Sequence, residues 1–463
     1  MSGDPAPHRG LVWAQTDRPA RMWVEWSTHP SFRDRSVVRG TDAVPGCGYT
    51  ARAHLTSLPS GRPVYYRVIF EDLSDLRTRS FAMLGQLTTT SPRARRLRLG
   101  WGGDVAGQGW GIDPDRGGYR SFETMKRFGF DAFIHSGDHV YADGPLRSTV
   151  ELESGVWRNT ITPAKAKVAE TLDEFRGQYA YNLLDRSFRD FFAHTPVIAQ
   201  WDDHETLNNW YPNEMLDDER YREAQVSVLA DRARQAFRES LPLDPTQPIH
   251  RSVPLGPLAE VFVLDARSFR GPNDPNAGPR KDWLGQMQVD WLKARLQASG
   301  SLWKIVASDM PLGLVIPDGP HHEGLANARP ELGGREHELA EILTFAREKK
   351  IRNLLFVTAD VHYAAAHHYR PDRAKFVDFD PFWELVAGPL HAGTFGPNDL
   401  DPTFGPEVMY TSRGPDDRQN LSPAEGEQFF GVLDIETSGV LHAAIHDQSG
   451  AQRWARSLTP LEE

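Results

Sequence analysis

The sequence of 463 residues contains a single cysteine, Cys47. One thiol excludes an intramolecular disulfide, and it also excludes a zinc site built from several cysteines. The absence of disulfides fits the cytoplasm, but it equally fits a protein that folds before export, so the compartment stays open. Residues 1–7 contain neither a basic segment nor an apolar one. We therefore expect no signal peptide in this chain.

Long hydrophobic segments and internal repeats are also missing. No segment approaches the roughly 18 consecutive apolar residues that a membrane-spanning helix requires, so we expect no transmembrane segment. Positive charge is scarce as well, with 52 basic against 63 acidic residues and a net charge of −11. An acidic surface repels a polyphosphate backbone, which argues against a nucleic-acid-binding surface. The same excess of carboxylates is also compatible with bound cations.

The first part of the chain has the pattern of short β-strands. Apolar and polar residues alternate in residues 21–26 and 64–70, and turn-forming residues separate such segments, for example at 58–63. This pattern predicts a small β-sandwich over residues 1–92, which we interpret as an accessory module. The basic, proline-containing residues 91–96 are a plausible linker.

The pattern changes in residues 93–463, which we predict to form the second domain. Short apolar segments alternate there with helical stretches at 172–192, 220–241 and 336–349. Such alternation is typical of an α/β domain with a buried sheet. Near the end, residues 429–435 and 440–447 flank a turn and predict a β-hairpin, so the sheet is expected to be mixed.

Acidic residues follow six of these apolar segments. They are Asp104, Asp138, the pair Asp202 and Asp203, Asp265, Asp309 and Asp360. The carboxyl ends of strands in an open α/β sheet share one edge, so these acids are expected to converge. Like charges at close range raise each other's pKa unless cations lie between them, and the pattern therefore predicts a polynuclear metal site. A turn or helix-capping role stays open for any single acid, above all for Asp265 and Asp309.

Three segments add other ligand types. Asp138 precedes Tyr141 by three residues, so a carboxylate and a phenolate can reach one cation, and these hard donors suit ferric iron. Asp203 is a ligand-type acid next to His204, a histidine that can transfer protons. Asp360 and His362 lie two residues apart, on the same side of an extended segment.

The order of these segments resembles the motif series of the calcineurin-like metallophosphatases. The matching segments are Asp104, Gly137-Asp138 with Tyr141 as in the purple-acid-phosphatase branch, residues 202–205, and Asp360 with His362. The PhoD-like alkaline phosphatases and phosphodiesterases are similar over essentially the whole chain. Their motifs resemble residues 2–5, 201–205, 208–210, 264–270, 360–362 and 387–390.

This resemblance implies a fold and an activity. The fold would be a four-layer α/β (α+β) mixed β-sandwich flanked by helices, preceded by an all-β fibronectin- or immunoglobulin-like domain. The activity would be the hydrolysis of a small phosphate ester by a metal-activated hydroxide that attacks phosphorus. A phosphodiesterase or phospholipase-D-like activity on the same centre is one alternative, and a non-catalytic binding protein is another. The family resemblance suggests a periplasmic or secreted protein, with a monomer slightly favoured.

The resemblance also implies the metal ligands. One cation, Fe³⁺, would be held by Asp104, Asp138, Tyr141 and His362, and a second would share Asp138 and add Asp203 and Asp360. The chain departs from the family pattern, since Asp104 stands where PhoD-like proteins often have cysteine. Asp203 and Asp360 replace an asparagine and a histidine. The oxygen-rich second site favours Ca²⁺ over Mn²⁺ or Mg²⁺.

The remaining candidates concern the substrate. His204 would face the substrate and protonate the leaving oxygen. Arg267 is a candidate phosphate clamp, with a buried salt bridge to Asp265 or another acid as the alternative. Other candidates for the cleft are Asn208, which a turn or cap also explains, His391, and the pair His321 and His322, for which a solvated loop is favoured.

Overall fold

The computed structural model describes residues 1–461 and contains three large sheets. The nine-stranded sheet has the order β24 (Gln452–Leu458), β23 (Leu441–Asp447), β22 (Phe429–Ile435), β8 (Leu97–Gly102), β9 (Ala132–Ser136), β12 (Val197–Gln200), β1 (Ser2–Gly3), β2 (Arg9–Gln15) and β5 (Thr50–Thr56). The seven-stranded sheet has the order β13 (Arg251–Pro254), β14 (Ala259–Val263), β15 (Trp303–Ala307), β18 (Leu354–Thr358), β20 (Phe382–Val386), β19 (Ala365–Tyr369) and β21 (Pro406–Thr411).

The third sheet has the order β4 (Ser36–Ala43), β3 (Ala20–Ser27), β6 (Pro63–Asp72) and β7 (Met83–Thr88). Two hairpins complete the strands, β10 (Thr149–Leu152) with β11 (Gly155–Arg158), and β16 (Pro317–Asp318) with β17 (His321–His322). The helices are α1 (Arg120–Met125), α2 (Leu172–Asn182), α3 (Arg186–His194), α4 (Val226–Ser240), α5 (Gln286–Ala298) and α6 (Glu336–Glu348). Within residues 1–461, none of these helices is long and apolar enough to cross a membrane.

The two larger sheets pack face to face as a sandwich. Their shared core contains Leu99 and Ile134 from the nine-stranded sheet and Val261 and Leu355 from the seven-stranded one. Helices α1–α4 cover the other face of the first sheet, and α5 and α6 cover the second. Strands such as β9 and β14 are buried along their whole length, because apolar residues on both of their faces meet a packed layer.

The predicted elements are largely present. The carboxyl-terminal hairpin is confirmed as β22 and β23, which pair antiparallel, while β8, β9 and β12 are parallel, so the sheet is mixed. The helical stretch predicted over residues 172–192 is two helices, because Asp185 caps a new helix through the backbone N–H of Phe188 at 2.9 Å.

The amino-terminal strands are also joined to the central sheet. The third sheet packs with β2 and β5 around a core of its own, but β1, β2 and β5 also belong to the nine-stranded sheet. Gly3 pairs in parallel with Val197 of β12. The predicted linker is tied down too, because Arg95 and Arg96 form ion pairs with Asp131 and Asp434. The amino-terminal region therefore extends the central sheet.

A buried carboxyl pair at the start of α6 predicts a pH-dependent stability. Burial and the charge of Asp401 raise the pKa of Glu336 from 4.5 to about 9. Because the folded pKa exceeds the unfolded one, folding takes up a proton between these values. Stability is then complete below pH 4.5 and falls by up to about 1.4 kcal/mol per unit until pH 9.

We expect Glu336→Gln to flatten this decline and to raise the melting temperature at pH 8 to 9. The amide copies the protonated acid, and its oxygen can still accept from the backbone N–H of Gly333 at 3.0 Å. Thermal denaturation from pH 5 to 9 measures the effect. Glu341→Gln, which alters a half-buried acid paired with Lys293, is the control and should leave the slope unchanged. Equal slopes for wild type and Glu336→Gln would contradict the assignment.

Candidate metal centre

Acidic residues from both large sheets meet at one place. Asp104, Asp138 and Asp203 follow the parallel strands β8, β9 and β12, while Asp360 and His362 follow β18 of the opposite sheet. Ligand atoms lie within 4.8 Å of one another in three overlapping groups, namely Asp104 with Asp138 and His362, Asp138 with Asp203 and His204, and Asp202 with Asp203 and Asp360. The predicted ligands are therefore brought together, with Asp138 and Asp203 each shared by two groups.

The backbone at the centre adopts a conformation that side chains rarely accept. Asp104, Asp138, Asp360 and His362 have φ values of 68°, 49°, 67° and 60°. Such left-handed residues cost free energy and persist where the surrounding structure imposes them, often at functional sites. The backbone also approaches closely at Gly107, where a Cβ atom would overlap the ring of Tyr141.

The first group presents two carboxylates and an imidazole, and the phenol of Tyr141 lies beside it. Both carboxylate oxygens of Asp104 are buried without a hydrogen-bond partner. The hydroxyl of Tyr141 lies 2.6 Å from Nε2 of His362, and Nδ1 of His362 donates to the carbonyl oxygen of Gly393 at 2.6 Å. This carbonyl fixes the tautomer, so Nε2 keeps its lone pair beside the phenol, as in histidines that bind metals. Burial lowers the pKa of His362 to about 4, which keeps the ring neutral.

The carboxylates are costly in this position unless cations are bound. Burial raises the pKa of Asp104 to about 8. Burial, followed by the charge of Asp203, raises the pKa of Asp138 well above its usual range. Burial, followed by the charge of Glu323, does the same for Asp360, which also has an unpartnered oxygen. Orphaned oxygens from several acids, with one phenol and one imidazole, fit hard multivalent cations.

His204 is positioned by an acid to which the sequence analysis assigned no role. Nδ1 of His204 donates to the carboxylate of Asp143 at 2.7 Å, and the second oxygen of Asp143 accepts the backbone N–H of Asn208 at 2.9 Å. Burial opposes the charged form of His204, but Asp143 and Asp203 outweigh it and raise the pKa of His204 to about 10. The side chain of His204 is 11% exposed, so Nε2 is left to meet a ligand. The only sequence signal was that Asp143 lies two residues after Tyr141.

Arg267 is fully buried and bound to acids of the protein. Its Nε donates to Asp202 at 2.8 Å and lies 3.3 Å from Asp309, and Nη1 pairs with Glu323. The structure therefore favours the salt-bridge alternative over the phosphate clamp. The partner is not Asp265, whose carboxylate accepts the indole N–H of Trp201 at 2.9 Å.

Two other substrate candidates are placed outside the ligand cluster. Nε2 of His391 lies 3.0 Å from the carbonyl oxygen of Gly111, and its ring packs against Tyr119. Only the backbone of His391 supports the site, by donating to the carbonyl oxygen of Asp104 at 2.9 Å. The side chain of Asn208 is exposed, and its backbone N–H donates to the carboxylate of Asp143.

The histidine pair of the sequence analysis lies in the small hairpin. His321 and His322 form β17, and Asp318 of β16 accepts from the amide of Asn209 at 3.2 Å. The backbone N–H of Asn209 in turn donates to Asp203 at 2.6 Å. The hairpin is thus linked to the centre through Asn209 rather than through the two imidazoles.

Acids that stay ionised only beside bound cations, next to a histidine that can donate a proton, meet the requirements of phosphate-ester hydrolysis. The fold and the site together define a metallophosphatase. Residues 99–443 match the family model of the PhoD-like phosphatases, and residues 1–91 match that of the PhoD-like phosphatase N-terminal domain. The chain belongs to the PhoD-like phosphatase family and is a phosphoric ester hydrolase.

Individual relatives agree with this assignment. Alkaline phosphatase D of Bacillus subtilis is 26% identical over 430 residues, which cover 85% of this chain and 68% of the relative. The solved structure of PhoD is similar with a TM-score of 0.72 and 18% identity, covering 100% of this chain and 91% of that one. A purple acid phosphatase from yellow lupin (Lupinus luteus) shares the fold with a TM-score of 0.58 and 11% identity, covering 98% and 73%.

Proposed function

We propose that the protein hydrolyses small phosphate esters at a centre of two cation sites that share Asp138. The first site is formed by Asp104, Asp138, Tyr141 and His362, and the second adds Asp203 and Asp360. The observation that carries this proposal is that the ligand groups overlap at Asp138 and again at Asp203, and the second overlap joins Asp360 to the others. The substrate class follows the relative named alkaline phosphatase D.

The donor sets favour different ions at the two sites. The phenol of Tyr141 and the imidazole of His362 favour Fe³⁺ at the first, and the carboxylates of Asp203 and Asp360 favour Ca²⁺, or else Mn²⁺ or Mg²⁺, at the second. When bound, such ions supply the Lewis acidity that lowers the pKa of water and offsets charge on phosphoryl oxygens. The protein's part is to hold these donors at fixed positions and to exclude water from their buried side.

His204 supplies the proton for the leaving oxygen in this proposal. The bond from Nδ1 to Asp143 orients the imidazole and stabilises its charged form, so Nε2 can donate. Asp143 does not meet the substrate, and we assign it a positioning role. General acid catalysis of this kind is worth roughly 100- to 10,000-fold in rate.

Arg267 is proposed to act on the substrate only indirectly. Its ion pairs hold Asp202 and Glu323 beside the second site, so it fixes the acids around Asp203 and Asp360. Asn208 is the exposed residue next to His204 and Asp143. It remains our candidate for direct contact with phosphate oxygens, whereas His391 supports the backbone of Asp104.

Other features extend the proposal beyond the site. We infer a fibronectin- or immunoglobulin-like type for the amino-terminal strands, because the third sheet packs on β2 and β5 around a separate core. A periplasmic or secreted location follows the family resemblance alone. The net charge of −11 supports a small-molecule partner rather than a nucleic acid. A monomer is the proposed state.

Metal analysis of the purified protein tests the centre directly. We expect about one iron per chain, together with a second metal, and a visible absorption from phenolate bound to iron. Tyr141→Phe should remove the absorption because it removes the phenol, while Tyr211→Phe, which alters a half-buried tyrosine near Glu214, should keep it. Elemental analysis and the absorption spectrum are the measurements. Iron-free protein with full phosphatase activity would contradict the assignment of the first site.

A further inference from the structure

A buried lysine lies behind the segment that carries Tyr141 and Asp143. Lys165 has no exposed surface. Its Nζ donates to the backbone carbonyl oxygen of Tyr141 at 3.2 Å and lies 5.4 Å from the centre of the Tyr181 ring. Burial lowers the pKa of Lys165 to about 7, while the charge of Asp143 acts in the opposite direction. The carbonyl that Lys165 binds therefore lies two residues before Asp143, the acid that orients His204.

Burying a lysine in this space costs more free energy than burying an apolar side chain. An ammonium that loses water is destabilising unless carbonyls, carboxylates or ring faces replace the lost hydration. A methionine of similar length fills the same volume without that cost. The partners of Lys165 are one carbonyl, one ring face and a nearby carboxylate. Packing alone does not explain a lysine here, and its hydrogen-bond acceptor, the carbonyl of Tyr141, belongs to the segment that forms the site.

The chain around Lys165 also holds this segment through backbone bonds. The N–H of Leu146 donates to the carbonyl oxygen of Lys165 at 2.8 Å, and the N–H of Ala169 donates to that of Ala142 at 2.8 Å. The N–H of Ala142 donates in turn to the carbonyl oxygen of His204 at 2.8 Å. Residues 141–143, which we call the 141–143 loop, are thus fixed between the chain near Lys165 and the segment that bears His204.

We propose that Lys165 is a positioning residue that holds the 141–143 loop so that Asp143 stays aligned with His204. The bond from Nζ of Lys165 to the carbonyl oxygen of Tyr141 fixes the position of this loop, and Asp143 follows Tyr141 by two residues. The inference rests on the proposed function, because it acts through the proton that His204 donates. It adds a residue that no sequence motif pointed to.

Lys165→Met tests this inference. We expect kcat for phenyl phosphate, whose leaving group needs a proton, to fall by about 10- to 100-fold, as for other supporting residues of catalytic sites. The loss with p-nitrophenyl phosphate should be smaller, and KM and metal content should stay close to wild type, because no side chain that binds a cation is replaced. Lys167→Met alters a half-exposed lysine paired with Glu174 and is the matched control, with kinetics expected to equal those of the wild type.

A double-mutant cycle with Asp143→Asn separates positioning from general loss of structure. If Lys165 acts through Asp143, the double variant should be no slower than Asp143→Asn alone, whereas independent effects would multiply. Multiplying effects, equal losses with both esters, or wild-type kinetics in Lys165→Met would overturn the proposal. If Lys165→Met does not fold, Lys165→Leu, which also lacks a donor for the Tyr141 carbonyl, takes its place in the cycle.

The role of His204 and the role of Lys165 can be tested separately. If Asp143→Asn slows phenyl phosphate and p-nitrophenyl phosphate by the same factor, or slows neither, the role of His204 in the proposed function is wrong. Should Asp143→Asn show that loss while Lys165→Met matches the wild type, only the inference about Lys165 fails.

Discussion

In the Asp138→Asn variant, kcat/KM for p-nitrophenyl phosphate is expected to fall by about 1,000-fold or more, equivalent to roughly 4 kcal/mol. Asp138 is the carboxylate that both the Asp104 group and the Asp203 group contain. An amide has the same shape but carries no charge, so cations at both sites lose the ligand that they share. Metal content should therefore fall together with activity. Steady-state kinetics and elemental analysis of the same preparation measure both quantities.

Asp265→Asn is the matched control for this experiment. Asp265 also follows a buried strand, but its carboxylate accepts the indole N–H of Trp201 and the backbone N–H of Ser268 at 2.9 Å each. An amide oxygen can accept the same bonds, so metal content and kcat/KM should stay near those of the wild type. If the Asp138→Asn variant retained its full metal content and rate, Asp138 could not be the shared cation ligand.

The contrast between Asp138 and Asp265 shows what the sequence allows one to predict. Both acids follow an apolar strand, and strand ends share an edge, so convergence of the acids was predictable from pattern alone. The pattern does not say which carboxylate points to the metal centre and which one accepts hydrogen bonds from its own surroundings, as Asp265 does. For Asp138 the decision came from the neighbouring Tyr141, which is a second ligand type at a fixed spacing.

Other parts of the site depend on contacts that no local pattern encodes. Asp143 meets His204 across 61 positions of the chain, and Arg267 meets Glu323 across 56. Strand β1 joins β12 across about 190 residues, so the amino-terminal strands also extend the central sheet, which the strand pattern did not indicate. Such long-range pairings are chosen by the packing of the whole domain.

His204→Ala is expected to lower kcat for phenyl phosphate by roughly 100- to 1,000-fold while metal content is retained. Nδ1 of His204 is bound to Asp143, so this nitrogen is not free for a cation. The ring lies near Asp138 and Asp203, but the Asp104 group is complete without it. Removal of the ring therefore takes away the proton donor and leaves the principal cation ligands in place. Because p-nitrophenolate leaves without a proton, the loss with p-nitrophenyl phosphate should be smaller by at least about tenfold.

The dependence on the leaving group is what identifies a general acid. A variant that merely distorted the centre would slow both esters by the same factor and would also release metal. Asp143→Asn should reproduce the selectivity of His204→Ala with a smaller loss, because the ring remains but its orientation and charge are less well supported. His442→Ala, which alters a half-exposed histidine paired with Glu436, should leave both rates unchanged. If His204→Ala turned over phenyl phosphate at a near-normal rate, another group would have to donate the proton. The Asp143–His204 pair would then have no catalytic role.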